Sequence, residues 1–218
     1  MIASARDHPR QAGTVWVLDL DEATPAIAPL VEAALRRLGP ESAPELAVAM
    51  ATTQAEVSKR FDAGRSCYAA WVEGQIAAYG WVSFDEEFIG ELSLHLRLLP
   101  GEAYIWDCAT LPAFRRRRLF SALLAFMLRE LRAEPLCRVW IGADLDNVAS
   151  QRGIDRAGFH RVANLVIRRL LALHQVQVQS LPGVPESLVA EARRAFLGNR
   201  HGVWLATLSA AKSPKPVS

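Results

Sequence analysis

The chain of 218 residues carries 25 Lys and Arg against 23 Asp and Glu, and 51% of it is apolar. This apolar share predicts a real core and excludes general disorder, and a net charge of +2 is too small to indicate a nucleic-acid partner. The sequence opens without a secretory signal, and no apolar run reaches the roughly 18 residues that span a bilayer. We therefore expect a cytoplasmic protein with no membrane partner.

Polar residues without periodicity make up residues 1–13, which we interpret as a flexible leader. A short β-rich run at residues 15–20 predicts the first strand. Thr24 then begins a helix-start signal, and apolar residues at helical spacing predict a helix over residues 25–38. A second helix is expected over residues 44–61.

The dipeptide Glu73-Gly74 is a two-residue turn signal between two β-rich runs. It predicts a β-hairpin formed by residues 67–72 and residues 75–84. Residues 92–98 alternate leucine with polar side chains, which is typical of a half-buried strand.

Residues 103–159 carry the clearest pattern in the sequence. An apolar run at residues 104–109 is followed by a loop with four consecutive arginines and then by an apolar helical run. A second apolar run at residues 139–143 precedes another helical segment. This order of strand, helix, strand and helix predicts a right-handed crossover between two parallel strands.

The C-terminal part is less distinctive. Residues 161–173 have the composition of a closing strand, which the alternating residues 175–179 would extend, and residues 187–197 predict a short helix. We therefore expect one domain over residues 14–174, followed by a C-terminal extension over residues 175–218 with a frayed tail.

The central stretch resembles the GNAT superfamily of acyl-CoA-dependent N-acyltransferases. The resemblance rests on Asn147, Ser150, the pair Gly158-Phe159 and residues 110–124, which read TLPAFRRRRLFSALL. It implies an α/β (α+β) fold with a mixed, mostly antiparallel twisted sheet, helices on both faces and a splayed central strand pair. It also implies transfer of an acetyl group from acetyl-CoA to an amine-bearing acceptor, whose identity the sequence leaves open.

The resemblance places the acetyl-CoA site at the arginine loop, residues 115–118. By position, Arg115 matches the opening Arg/Gln of the family motif, Arg118 its first glycine and Phe120 its second Gly/Ala. The N–H groups of a helix N-terminus would hold the pyrophosphate, and the strand before the loop would pair with the pantetheine arm. The implied cofactor-binding residues are Cys108, Ala109, Thr110, Arg115, Arg116, Arg117, Arg118, Leu119, Phe120, Ser121, Asn147 and Ser150, with Ser150 also capping the following helix.

The sequence departs from the family pattern at several positions. Arg118 replaces a glycine, and the position of the general-acid tyrosine seen in many members is Ile154. Tyr104 stands where one branch has a glutamate. Asp107 and Asp144 are the catalytic candidates retained from the residues alone, with Glu102 and Asp146 as further carboxylates near the strand ends, so the base stays open.

The three cysteines, Cys67, Cys108 and Cys137, are an odd number without metal-ligand spacing. We expect reduced, buried thiols and no metal site. Cys108 lies at the pantetheine strand, where a buried structural residue is favoured over a nucleophile.

Two alternatives to the acetyltransferase hypothesis stay open. A non-catalytic acyl-CoA-binding or regulatory module would explain the absent loop glycine and the absent tyrosine. A nucleic-acid site at residues 115–118 is the weakest alternative, because the net charge is close to zero. Apolar strand edges in the hairpin or the C-terminal segment would support a homodimer.

Overall fold

The computed structural model describes residues 10–92, 94–170, 173–198 and 203–206. Within these ranges the chain forms eleven strands and five α-helices. The strands are β1 Arg10–Asp19, β2 Ala34–Leu38, β3 Ser66–Val72, β4 Gln75–Ser83, β5 Glu86–Ile89, β6 Leu94–Arg97, β7 Glu102–Thr110, β8 Arg138–Asp144, β9 His160–Leu170, β10 Leu173–Ser180 and β11 Val203–Ala206. The helices are α1 Ala43–Met50, α2 Gln54–Asp62, α3 Leu119–Leu131, α4 Val148–Arg156 and α5 Glu186–Leu197.

Nine strands form one sheet in the order β11-β10-β9-β1-β8-β7-β4-β3-β2, and β5 and β6 form a separate hairpin. Within the large sheet every neighbouring pair is antiparallel except β7 and β8, which run parallel. The prediction of a mixed, mostly antiparallel sheet with one parallel strand pair is therefore confirmed.

Helices cover both faces of the sheet, and alternate residues of a strand therefore enter different cores. Ile105 of β7 belongs to a core closed by α3 and α4, and its neighbour Tyr104 belongs to a core closed by α5. A third cluster packs α1 and α2 against Cys67 and Trp81. The period of two along a strand sends these side chains to opposite faces.

The hairpin formed by β3 and β4 agrees with its prediction. Glu73 and Gly74 both have positive φ, 51° and 77°, as a two-residue hairpin turn requires. The helix α3 and the strands β7 and β8 also lie where the sequence placed them. Each of these elements has a strong local signal, so tertiary packing does not override it.

The helix expected over residues 25–38 is wrong. Residues 23–29 have no regular structure, and residues 34–38 form β2, which pairs with β3. The N–H of Leu30 donates to the carbonyl of Arg117 at 2.9 Å, a contact that an α-helix at this position would not allow. Ile27, Val31 and Leu35 still pack against the core, but Leu30 of the same spacing is 61% exposed, so the pattern predicted burial only in part.

Two further expectations need correction. The helix expected over residues 44–61 is two helices, because Ala51 takes a left-handed conformation and Thr53 caps α2 by accepting from the N–H of Glu56 at 3.2 Å. The strand expected over residues 92–98 begins only at β6, after a single 3-10 turn.

The strand β1 lies inside the sheet, between β8 and β9, and is antiparallel to both. It begins at Arg10, so residues 10–13 belong to the sheet and not to the expected leader; residues 1–9 lie outside the described residues. The strands β10 and β11 extend the same sheet beyond β9. Residues 175–198, expected as an extension, therefore complete the core that α5 closes.

Candidate active site

The two parallel strands diverge in the middle of the sheet. β7 and β8 pair from Glu102 and Arg138 as far as Ile105 and Ile141, and no pairing follows, although β7 continues to Thr110. On their outer edges, β4 pairs with β7 up to Thr110, and β1 pairs with β8 up to its last residue. The facing backbone edges beyond Ile105 and Ile141 are thus open to an added strand-like ligand.

A cleft of about 520 Å³ opens at this divergence. The structure brings together six of the predicted site residues on its walls, and these are Asp107, Cys108, Phe120, Asp144, Asn147 and Ser150. The other predicted cofactor residues are not part of this lining, and they are Ala109, Thr110, Arg115, Arg116, Arg117, Arg118, Leu119 and Ser121. Most of these residues lie between the end of β7 and the first turn of α3.

A β-bulge shapes β7 at the cleft. Asp107 and Cys108 stand opposite the single residue Gly80 of β4, and Asp107 has a φ of 42°. A Cβ on Gly80 would lie 2.7 Å from the Cys108 Sγ, so glycine is required there. The bulge turns the backbone of β7 where this strand borders the cleft.

The arginine loop keeps a glycine-like backbone without glycine. Arg116 and Arg118 have φ of 63° and 60°, in the left-handed region that L-residues rarely adopt. Arg118 is the N-cap residue of α3, and no side chain caps this helix. The first N–H groups of α3 have no acceptor within their own helix, and Phe120 of this first turn lines the cleft.

Arginine side chains surround this helix start. The Nε of Arg115 donates to the carbonyl of Thr110 at 3.4 Å, and the guanidinium of Arg117 lies 5.3 Å from the centre of the Phe114 ring. From α4, Arg156 reaches Ser121, in the first turn of α3, at 3.5 Å. The helix dipole and these guanidinium groups together favour an anion at this point.

Phe120 fills the second glycine position of the family motif by packing on α4. A Cβ on Gly153 would lie 2.4 Å from the Phe120 Cδ1, so the ring rests directly on the glycine. Ile154, at the position of the family tyrosine, is 1% exposed and lines the same cleft. The large ring is thus accommodated by the absence of a side chain on the facing helix.

Asn147 caps α4, and this corrects the expectation for Ser150. The Oδ1 of Asn147 accepts from the N–H of Ser150 at 3.1 Å, so Ser150 is the capped residue and not the cap. Gln151 fixes the same corner by donating to the carbonyls of Asp144 and Leu145 at 3.0 and 2.8 Å. The turn from β8 into α4 is therefore held by side chains that follow Asp144.

Asp107 is bound to an arginine from α2. Its Oδ2 lies 2.5 Å from Nη1 of Arg60, whose guanidinium lies 5.1 Å from the Trp81 ring and 4.6 Å from the Trp106 ring. Cation–π contacts of this kind add to the ion pair and fix the arginine. Asp107 therefore faces the cleft as one partner of an ion pair.

A second carboxylate lines the cleft beside it. Glu87 is 5% exposed, and its oxygens accept from Arg65 at 2.7 and 3.0 Å and from the Ser83 hydroxyl at 2.6 Å. Ser83 in turn accepts from the Trp106 ring N–H at 2.9 Å. This network ties the start of the β5–β6 hairpin to β4 and β7.

Tyr104 and Thr14 also line the cleft, and Tyr104 is 7% exposed. A Cβ on Gly142 would lie 3.5 Å from the Tyr104 hydroxyl, which places this hydroxyl beside β8 at the divergence. Glu102, in contrast, is buried, pairs with Arg194 at 2.6 Å and does not line the cleft. Glu102 is therefore excluded as a catalytic base.

The thiols differ in exposure. Cys67 is buried, Cys108 is half-buried and Cys137 is exposed, so the expectation of three buried thiols is wrong for Cys137. Burial raises the pKa of the Cys108 thiol, and the nearby Asp107 carboxylate raises this pKa further. The thiol stays protonated at neutral pH, which argues against a nucleophile at this position. The described residues contain no grouped set of metal-ligating side chains.

Sequence reasoning missed the residues that line the cleft from distant segments, namely Thr14, Arg60 and Glu87. It also missed Arg65, which pairs with Glu87, and Arg156, which reaches Ser121. Arg60 and Asp107 are 47 positions apart, so no local spacing connects them. Of these residues only Glu87 has a local sequence signal. Glu86 and Glu87 are neighbours in a short strand, and alternation points one of them toward the protein interior.

The family of the chain follows from comparison with known proteins. Residues 31–159 match the model of the acetyltransferase (GNAT) family, and this is well over half of the chain. The chain therefore belongs to the GNAT family. No curated protein matches its sequence. The described residues contain no helix that is long and apolar enough to cross a membrane.

The chain is similar to solved structures, and the first of those named here, with a TM-score above 0.5, has the same fold. A GNAT-family acetyltransferase from Colwellia psychrerythraea is similar with a TM-score of 0.53 at 15% identity, over 73% of this chain and 56% of that one. A GCN5-related N-acetyltransferase from Sphaerobacter thermophilus gives 0.48 at 20% identity, over 70% and 50%. An aminoglycoside acetyltransferase in complex with coenzyme A and kanamycin gives 0.48 at 16%, over 60% and 85%. The chain spans about half the length of the first two structures, and the similarity shows the fold alone.

Proposed function

We propose that the chain transfers an acetyl group from acetyl-CoA to an amine acceptor in the cleft between β7 and β8. The observation that carries this proposal is the uncapped start of α3, preceded by two left-handed arginines and adjoining the open edges of the two strands. Family membership supports acyl-CoA as the donor. Phe120 connects the helix start with the cleft, because it lies in the first turn of α3 and also lines the cleft.

The residues fit the cofactor in three parts. Residues 115–118 and the first N–H groups of α3 would hold the pyrophosphate, with Arg156 as an additional cation. The backbone of Cys108, Ala109 and Thr110 would pair with the pantetheine amides. The side chain of Asn147 would donate to the same arm while its oxygen caps α4. Acetyl-CoA would supply the activated acetyl group as a thioester.

Proton transfer would fall to side chains on the two sides of the divergence. Asp107 on β7 and Asp144 on β8 are the candidates that accept the proton of the acceptor ammonium. We assign the proton donor for the departing sulfur to Tyr104, because Ile154 cannot donate and the Tyr104 hydroxyl lies beside Gly142 at the divergence.

Calorimetric titration with acetyl-CoA, with dephospho-CoA alongside, tests the placement of the cofactor. Arg115→Ala should weaken binding of acetyl-CoA by about tenfold, because one charge-assisted contact is lost. Asn147→Asp should also weaken it while preserving the cap on α4. Arg129→Ala is the matched control, since Arg129 lies about 15 Å along α3 from the start of this helix. Equal affinities for the parent, Arg115→Ala and Asn147→Asp would show that the cofactor is placed wrongly.

Turnover separates this function from its alternative. Release of free CoA thiol in the presence of an amine panel is expected, with pH–rate profiles for the parent, Asp107→Asn, Asp144→Asn and Tyr104→Phe. Loss of the basic limb in Tyr104→Phe or of the acidic limb in either Asp variant would identify the group concerned. Tight binding of acetyl-CoA without turnover of any amine would instead support a non-catalytic acyl-CoA-binding module.

A further inference from the structure

The bulge of β7 lies where the two parallel strands separate. Ile105 is the last residue of β7 that pairs with β8, and the bulge at Asp107 and Cys108 begins two residues later. A bulge bends its strand and increases the local twist. Asp107 also has a left-handed backbone, which a residue other than glycine keeps only where the surrounding structure holds it. The contacts of Asp107 therefore bear on the shape of the cleft.

Arg60 holds this left-handed residue from α2. Its Nη1 lies 2.5 Å from the Oδ2 of Asp107, and the two side chains are only 24% and 34% exposed. The same guanidinium lies 5.1 Å from the centre of the Trp81 ring and 4.6 Å from that of the Trp106 ring. Trp81 and Trp106 are the last residues of β4 and β7 that pair before the bulge. Arg60 therefore connects the last regular pair of these strands with the first residue of the bulge.

Trp106 is itself fixed by a second set of contacts. Its ring N–H donates to the Ser83 hydroxyl at 2.9 Å, and this hydroxyl donates to Glu87 at 2.6 Å. Arg65 pairs with Glu87 at 2.7 Å, and its guanidinium lies 5.3 Å from the centre of the Trp106 ring. Because the indole has a fixed position, the guanidinium of Arg60 that stacks on it is also fixed.

We propose that Arg60 is a positioning residue of the cleft, which holds Asp107 and thereby maintains the bend of β7 away from β8; this inference rests on the function proposed above. The edge of β7 beyond the bulge is the edge that would pair with the pantetheine arm, so its direction affects the affinity for acetyl-CoA. The guanidinium of Arg60 is engaged by Asp107 and by two indoles. Arg60 therefore acts on the cofactor through Asp107 and not by its own contact.

The sign of the effect at Asp107 separates positioning from charge, with the Kd for acetyl-CoA measured by calorimetry. Arg60→Gln and Asp107→Asn should each raise this Kd by about tenfold, because each breaks the same charge-assisted contact. Asparagine tolerates the left-handed conformation as aspartate does, so Asp107→Asn removes the ion pair and keeps the backbone preference. If charge alone mattered, Asp107→Asn would lower the Kd, because the anionic cofactor would meet one negative charge fewer.

The double variant tests whether Arg60 acts through Asp107. Arg60→Gln combined with Asp107→Asn should have about the same Kd as either single variant, because both changes remove one contact. Arg60→Lys should recover part of the affinity, since lysine keeps the ion pair but not the planar stacking on the indoles. Lys59→Gln is the matched control, because it removes the same charge from the neighbouring residue of α2, whose ion pair with Glu56 is exposed. Its Kd should equal that of the parent, and urea unfolding checks that every variant is folded.

Three results overturn this inference and leave the acetyltransferase proposal standing. They are the parental Kd in Arg60→Gln, a lower Kd in Asp107→Asn, and a double variant whose loss is the product of the two single losses. Failure of the parent to bind acetyl-CoA overturns the placement of the cofactor and this inference with it.

Discussion

Arginine occupies two backbone positions of the arginine loop that favour glycine. A left-handed conformation costs an L-residue about 1–2 kcal/mol, and Arg116 and Arg118 both adopt it. The loop therefore has a backbone conformation that favours glycine, although arginines occupy these two positions. We infer that the surrounding packing holds it, since Arg117 accepts a backbone hydrogen bond from Leu30 and Leu119 is buried.

Replacement of Arg118 by glycine should stabilise the fold slightly. The relief of the left-handed strain exceeds the entropy that glycine gains in the unfolded chain, so we expect a gain of up to about 1 kcal/mol. Arg115 has an extended backbone with φ −63° and ψ 159°, so Arg115→Gly should instead lose about 0.5–1 kcal/mol. Reversible urea unfolding measures both. A loss of stability in Arg118→Gly would contradict the strain at this position.

At the residue scale, the sequence predicted what is local. Arg115 and Asn147 each follow a strand with a strong local signal, so the sequence pattern could propose both, and of the two Asn147 lines the cleft. The partners Arg60 and Glu87 come from α2 and β5, and only the folded sheet brings them to the cleft. The cap was assigned to Ser150, because the residue type permits it, but the first turn of α4 places Asn147 at that position.

Between elements, the contact of α3 with α4 depends on one large residue, Phe120, that faces a glycine, Gly153. The Phe120 ring occupies the space that any side chain on Gly153 would need. The glycine of α4 and the large ring of α3 therefore fit together only as a pair.

Gly153→Ala should therefore destabilise the protein by about 1–3 kcal/mol, because the added methyl overlaps the Phe120 ring. The double variant with Phe120→Ala should recover most of this loss, with a coupling of at least about 1 kcal/mol between the two sites. Gly90→Ala is the control, since nothing lies within 4 Å of its Cβ position. Additive effects in urea unfolding would show that the ring does not oppose the methyl group.

At the element scale, strong local signals decided which predictions succeeded. The turn at Glu73-Gly74 and the apolar run of α3 specify their own conformations. Residues 25–33 carry apolar side chains at helical spacing, yet Leu30 is hydrogen-bonded to the arginine loop and the segment does not form a helix. The irregular segment packs Ile27 and Val31 against the core without a helix and leaves Leu30 exposed.

For the molecule as a whole, two cysteine thiols predict the response to alkaline pH. Burial raises the pKa of Cys67 and of Cys108 above the value of an unfolded thiol. The folded state therefore keeps protons that the unfolded state releases, so this stability is complete below about pH 8.5 and falls as pH rises. We expect a loss of about 2–4 kcal/mol between pH 8 and 10.

Urea unfolding at a series of pH values measures this loss. Cys67→Ala and Cys108→Ala should each flatten the alkaline slope, whatever they do to stability at neutral pH. Tyr68 will add to the slope at higher pH, because burial raises its pKa to about 12. A stability that is constant from pH 7 to pH 10 would show that these thiols titrate alike in the folded and unfolded states.

The position of β1 has a consequence for the time course of synthesis. Its neighbours β8 and β9 are separated from it by well over 100 residues of chain, as the pairings of Val15 with Gly142 and Ala163 show. A ribosome adds about 5–20 residues per second, so β1 leaves it about 7–30 s before β9 does. Until β8 emerges, about 6–25 s after β1, Val15, Trp16 and Val17 have neither of their partner strands. The first strand made is thus among the last to be buried, and chaperones that bind apolar segments would act on it first.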